Sequence, residues 1–214
     1  STQQANGSWT DNSGNYPGVV GLAALAFLAH GEDPNHGPYA ENIQRCIDFL
    51  ISNQKQSNGY IGNSMYNHGF ATLALAESYG ALHDPRLEKS LRLAVDLILT
   101  SQKNNPTGGW RYGPDSNDAD TTVSGCQIVA LLAARNAGIP VPDTAIKKGL
   151  AYLESCRDSS GSYGYTSKHG GKPTLTAIAS LCFSLAKEKD SAGYQKSLNI
   201  LKKNLEDRDS HYAF

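Results

Sequence analysis

An all-α fold, an arc or ring of about four helical hairpins, is what this sequence predicts, and three observations carry the prediction. A glycine-flanked aromatic recurs at Trp9, Tyr60, Trp110 and Tyr163, at intervals of 51, 50 and 53 residues, a period that belongs to a repeat architecture. Four segments nearly free of charge alternate with four that carry charge on one side. Strand-like alternation is weak throughout.

Each period opens on a glycine turn with its aromatic and continues into a first helix rich in small apolar residues. These first helices are expected over 19–29, 69–79, 123–137 and 175–186. A helix that is apolar or small all round is buried on every side, so these are inner helices. The second helices are expected over 39–54, 85–102, 144–156 and 192–205. In the second of them Leu87, Leu91, Ala94, Val95, Ile98 and Leu99 share a helical stripe, while Arg86, Glu88, Lys89, Arg92 and Asp96 take other faces; this is the pattern of a surface helix. Glycine, proline and aspartate punctuate the breaks: Gly31, Asp33-Pro34 and Gly37-Pro38, then His83-Asp84-Pro85, then Gly138-Ile139-Pro140 with Val141-Pro142-Asp143. Hairpins that cover apolar inner helices on both flanks must stand beside copies of themselves, so the units stack side by side and curve.

A chain of 214 residues, 39% hydrophobic, suffices for one domain, 1–214. Its net charge is -1 with scattered Lys and Arg, which excludes the basic footprint of a nucleic-acid binder. The most apolar stretch, 19–29, is far short of the roughly 20 residues of a membrane span, so no transmembrane segment is expected. The opening Ser1-Thr2-Gln3-Gln4 has no signal-peptide character; a leader removed earlier would leave the same sequence, so export stays open. Adding one more period to Tyr163 reaches Phe214, and we expect a piece of a longer protein with flanking repeats or domains. Cys46, Cys126, Cys156 and Cys182 sit singly in apolar helical patterns and read as buried free thiols.

The segment Gln3-Gln4-Ala5-Asn6-Gly7-Ser8-Trp9 resembles the QW repeat, QxxxGxW, of squalene and oxidosqualene cyclases, with looser versions at Gln54 to Tyr60, Gln102 to Trp110 and Cys156 to Tyr163, the last without its glutamine. Met65-Tyr66-Asn67-His68-Gly69-Phe70-Ala71, Gly108-Gly109-Trp110-Arg111-Tyr112 and Asp118 to Gly125 are similar to bacterial prenyltransferase and squalene-oxidase repeat proteins, and Asp209 to Phe214 looks like their lead-in to a further repeat. The resemblance implies the α/α toroid of terpenoid cyclases and protein prenyltransferases, in which the mouth receives an isoprenoid. Physically, the glutamine suits a structural clasp that bonds free backbone groups at helix ends.

In the cyclases a DxDD motif at the head of an inner helix supplies the proton. Asp118-Ala119-Asp120-Thr121 resembles its first three positions, which makes Asp120, with Asp118, the candidate catalytic pair, although Thr121 stands where the last aspartate belongs. The alternative is that one of them caps the third inner helix. Prenyltransferase zinc needs an aspartate two residues before a cysteine, and none is there, so no metal or cofactor is expected. Equivalent helix heads should share one rim, which gathers Tyr66, His68, Trp110, Arg111, Lys168 and His169 as candidate ligand-binding residues. The expected ligand is an apolar or isoprenoid small molecule; the competing expectation is a non-catalytic binding or scaffold domain holding a glycan or polypeptide.

Overall fold

A computed structural model describes residues 2–9, 16–82 and 84–212, with the backbone only for 207–212. Among them there are eight α-helices and no strand: α1 (Pro17–Ala29), α2 (Ala40–Ser52), α3 (Met65–Ser78), α4 (Pro85–Asn104), α5 (Thr121–Asn136), α6 (Asp143–Ser155), α7 (Pro173–Leu185) and α8 (Ala192–Tyr212). The all-α prediction is therefore met. No helix of the described residues is long and apolar enough to cross a membrane. The inner helices begin two to four residues before the expected starts, because Pro17 and Pro173 open α1 and α7 and Ser64 and Asp120 cap α3 and α5. Helix α8 runs past its expected end, so residues 209–212 continue it; His83, Ala213 and Phe214 lie outside the described residues.

The odd-numbered helices form one row, α1 against α3, α3 against α5 and α5 against α7, and each even-numbered helix packs on its odd partner. Burial follows charge only in the middle of the row: α1 and α7, though free of charge, bury five of their thirteen residues each, no more than α2 and α6, and expose Val19, Leu22, Leu181 and Leu185, so they are not buried on every side as expected. Helix α5 buries twelve of its sixteen residues, whereas α4 buries mainly the face carrying Leu87, Leu91, Ala94, Val95 and Ile98, as the apolar stripe requires.

The inner helices meet in matching register through glycine. The fifth residue of α1, α3 and α5 is Gly21, Gly69 and Gly125, and each lies against the sixth residue of the next inner helix: Phe70, Cys126 and Ile178. A Cβ at Gly21 would stand 2.8 Å from the Phe70 carbonyl oxygen, and one at Gly125 would stand 2.3 Å from Ile178 Cγ2. These helices approach too closely for any side chain at that position.

The even-numbered helices are joined through glutamines at the repeat turns. Gln54 Nε2 donates to Gly59 O at 3.0 Å and to Ser90 O of α4 at 2.9 Å. Gln102 Nε2 donates to Gly108 O at 2.8 Å and to Ala145 O of α6 at 2.9 Å. Gln3 Nε2 does the same with Gly7 O and Asn42 O of α2. Each amide thus ties a turn glycine to the outer helix of the following hairpin. The turn glycines carry positive φ, +89° at Gly7, +77° at Gly59 and +98° at Gly161, and their missing side chains let that helix close in. All four cysteines are buried and free; burial pushes the thiols of Cys46, Cys126 and Cys182 up to about 12, well away from reactive thiolates.

Candidate functional site

The heads of the inner helices gather on one side of the layer. Gly18 N at the head of α1 donates to Asn67 Oδ1 of α3 at 2.9 Å, and the Tyr66 hydroxyl of α3 hydrogen-bonds Thr122 Oγ1 of α5. Free helix N–H groups are met by the loop of the next repeat: Met65 N donates to Tyr112 O and Thr121 N to Tyr165 O, both at 2.8 Å. Tyr112 and Tyr165 each stand two residues after a repeat aromatic, so the clasp brings equivalent tyrosines to this rim.

Asp120 caps α5. Its Oδ1 accepts from Thr122 N at 2.9 Å, Val123 N at 2.8 Å and Thr122 Oγ1 at 2.6 Å, satisfying two of the orphan donors that open a helix. Its Oδ2 lies 3.7 Å from Arg111 Nε, and its side chain has 0% exposure. Asp118 lies on the other side of the guanidinium, Oδ2 to Nη1 3.7 Å, and is 63% exposed. Neither distance is a direct hydrogen bond, and Arg111 Nη1 and Asp120 Oδ2 have no hydrogen-bond partner.

Arg111 is held by stacking. Its guanidinium carbon sits 5.0 Å from the centre of the Tyr112 ring and 5.4 Å from that of Tyr165, within the range of cation–π attraction. The two tyrosine hydroxyls bond each other, and the Tyr66 ring lies 6.0 Å from that of Tyr112. Burial raises the Tyr66 and Tyr165 phenols above their ordinary range, so both remain neutral donors. Tyr112 is the most open of the three rings, at 46% exposure.

The remaining predicted residues lie elsewhere. His68 is fully buried beneath the rim. Its Nδ1 accepts from Ile61 N at 3.1 Å while Nε2 faces Ala94 O at 3.0 Å, which fixes the tautomer as Nε2–H. His68 is the fourth residue of α3, and the fourth residues of α5 and α7 act alike: Ser124 Oγ accepts from Trp110 N and Thr176 Oγ1 from Tyr163 N. It is therefore a turn clasp at a repeat position. Trp110 is also buried, and its indole Nε1 donates to Ile98 O at 2.9 Å. Lys168 and His169 are exposed in the loop before α7, and neither forms an ion pair among the described residues. Tyr112 and Tyr165 were missed as site residues; their shared offset from Trp110 and Tyr163 was the available signal. A groove of about 370 Å³ lined by Lys147, Leu150, Glu154, Phe183 and Glu188 lies between α6 and the α7–α8 connection, away from the rim.

Neither a scan against models of known protein families nor a comparison with functionally described proteins returns a match.

Proposed function

We propose that this chain is a non-catalytic binding domain that holds a polypeptide against the rim formed by Tyr66, Arg111, Tyr112, Tyr165 and Asp118. The observation that carries this reading is the placement of the Arg111 guanidinium over both the Tyr112 and the Tyr165 rings. Tyrosine and arginine are the side chains that dominate protein-binding hot spots, since each offers a rigid flat surface with polar groups at its edge. Asp118 adds an exposed carboxylate beside the guanidinium, so the rim presents both signs of charge next to aromatic surface.

The isoprenoid reading asks Asp120 to meet a substrate. A proton donor must come within hydrogen-bond reach of the group it protonates, and Asp120 has no exposed side-chain surface while one oxygen serves three helix donors. This favours the binding domain over the cyclase-like enzyme, and with it the structural use of the aspartate.

Selection of a displayed random-peptide library on the purified chain tests the reading. Binders should emerge whose affinity falls roughly tenfold or more on Tyr112→Ala, with the melting temperature unchanged because that ring is half exposed. Peptides that bind the variant equally well, or a rim that takes oligosaccharides or farnesyl and geranylgeranyl probes and no peptide, would overturn it.

A further inference from the structure

Most of the rim comes from two loops that are longer than their counterpart. His68, Ser124 and Thr176 mark equivalent points of three repeats by accepting from Ile61 N, Trp110 N and Tyr163 N. From those donors the chain needs only 62–64 to reach α3, but takes 111–120 to reach α5 and 164–172 to reach α7. In repeat proteins, added loop length collects on the face that binds. The first long loop supplies Arg111, Tyr112 and Asp118, the second Tyr165.

The first long loop is acidic, and most of its acid is unbalanced. Arg111 is the one cation of 111–120, against Asp115, Asp118 and Asp120. Asp120 Oδ2, wholly buried and without a hydrogen-bond partner, is aimed at the guanidinium from 3.7 Å and faces its charge from within. Asp118 and Asp115 are exposed; among the described residues Asp115 has no ion pair, and Asp118 has only its long approach to Arg111. The loop that carries the open Tyr112 ring thus offers two solvent-facing carboxylates with no cation of their own. An anion finds no such opening, because Arg111 Nη1 is buried and Asp118 and Asp120 flank the guanidinium. Lys168, His169 and Lys172 belong to the second long loop, and none of them pairs with Asp115 or Asp118.

We infer that the polypeptide held at this rim presents a basic side chain, arginine or lysine, whose charged end pairs with Asp118 while its stem lies on the open surface of the Tyr112 ring. The inference rests on the binding-domain reading and names the chemistry of its partner. Asp118 and Tyr112 have Arg111 as a common neighbour, 3.7 Å from the carboxylate and 5.0 Å from the ring centre, so one long side chain can touch both with its apolar stem on the ring and its head in water. The aromatic surface attracts the cation, and the carboxylate adds a charge-assisted hydrogen bond.

A displayed library of short random peptides, selected in parallel on the wild-type chain and on Asp118→Lys, tests this. Binders to the wild type should be enriched in arginine and lysine over the unselected library, and Asp118→Lys should lose that enrichment. The strongest binder, made as a labelled synthetic peptide, then enters a double-mutant cycle read by fluorescence anisotropy, its basic residue changed to glutamine against Asp118→Asn in the protein. Each change alone should weaken binding roughly tenfold, and the two together no more than either alone. Affinity should fall as salt rises, since an exposed pair is screened, and Lys168→Ala should not weaken it. Both Asp118 variants alter an exposed side chain, and matching thermal melts confirm that they fold. Binders that fall on Tyr112→Ala but are acidic or without charge preference, or losses that add in the cycle, overturn this inference and leave the peptide-binding reading standing. A library that yields no binder, or binders indifferent to Tyr112→Ala, overturns both.

Discussion

Ser197 on α8 donates to the carbonyl of Gly161 at 2.7 Å, closing from the far side a junction that a glutamine closes from the near side in the other three repeats. The fourth repeat has Cys156 where that glutamine would stand, and the hydroxyl of the following outer helix takes over the exposed need of the turn carbonyl. The glutamines reach two carbonyls each, in the turn and on the next helix, and Gln102 is buried. Gln102→Ala therefore removes two hydrogen bonds, one to the turn carbonyl of Gly108 and one to Ala145 O of α6, and should cost about 1–3 kcal/mol. Ser197→Ala removes one bond across the junction and should cost less. Urea denaturation of the two variants gives the order, and equal midpoints with the wild type would refute the clasp.

Gly21 marks the closest approach of α1 to α3. In an isolated helix Gly→Ala stabilises by about 1 kcal/mol. Here the added methyl would meet the Phe70 carbonyl oxygen at 2.8 Å and its carbon at 3.1 Å, and backbone cannot rotate away as a side chain can. Gly21→Ala should therefore destabilise by about 1–3 kcal/mol. A thermal midpoint at or above wild type would show that the register of the inner layer is softer than the glycines indicate.

The eight helices were legible because charge and glycine punctuation are printed along the chain, and charge predicts burial for α3, α4 and α5 but not for α1 and α7. The clasp role of Gln54 and Gln102 was legible too, from spacing and from the hydrogen-bonding capacity of an amide. What escaped was side-chain direction at the helix heads. Tyr66 and His68 are two residues apart on α3, one reaching the rim and the other turned under it to accept from Ile61 N. That difference depends on which turn packs beside the helix, a contact made by residues outside its local pattern. Ser197 escaped for the same reason: no motif marks it, and its partner is 36 residues away. α1 and α7, expected to be buried on every side, expose Leu22 and Leu181, since each meets only one odd-numbered helix among the described residues.

His68 links this packing to pH. Complete burial holds its imidazole down to about 4 from an ordinary 6.5, and protonation would set a new N–H against the Ile61 N–H that Nδ1 now accepts. The folded state binds that proton less readily than the unfolded chain, so the neutral-histidine contribution is complete above about pH 6.5 and is lost as pH falls toward 4. A shift of this size corresponds to about 3 kcal/mol across the window. Stability measured by denaturant titration from pH 7 to pH 4 should fall, and His68→Gln, less stable at neutral pH, should remove that part of the slope. An unchanged slope in the variant would place the acid sensitivity elsewhere.

Asp120 separates a cap from a catalyst. Asparagine keeps the side-chain oxygen that Thr122 N and Val123 N require, but it gives up the negative charge facing Arg111. Alanine gives up both, leaving two helix donors without their acceptor and the guanidinium without the charge that faces it. If the residue serves the fold, stability should decrease in the order wild type, Asp120→Asn, Asp120→Ala, with the alanine variant about 2–4 kcal/mol below wild type, and peptide binding at Tyr112 should survive in the asparagine variant. A cyclase-like role predicts the reverse separation: Asp120→Asn would keep its melting temperature and lose turnover of a polyprenyl substrate. Calorimetry alongside a product assay on the same two variants distinguishes them, because the buried carboxylate cannot be both indispensable to the cap and free to donate a proton at the rim.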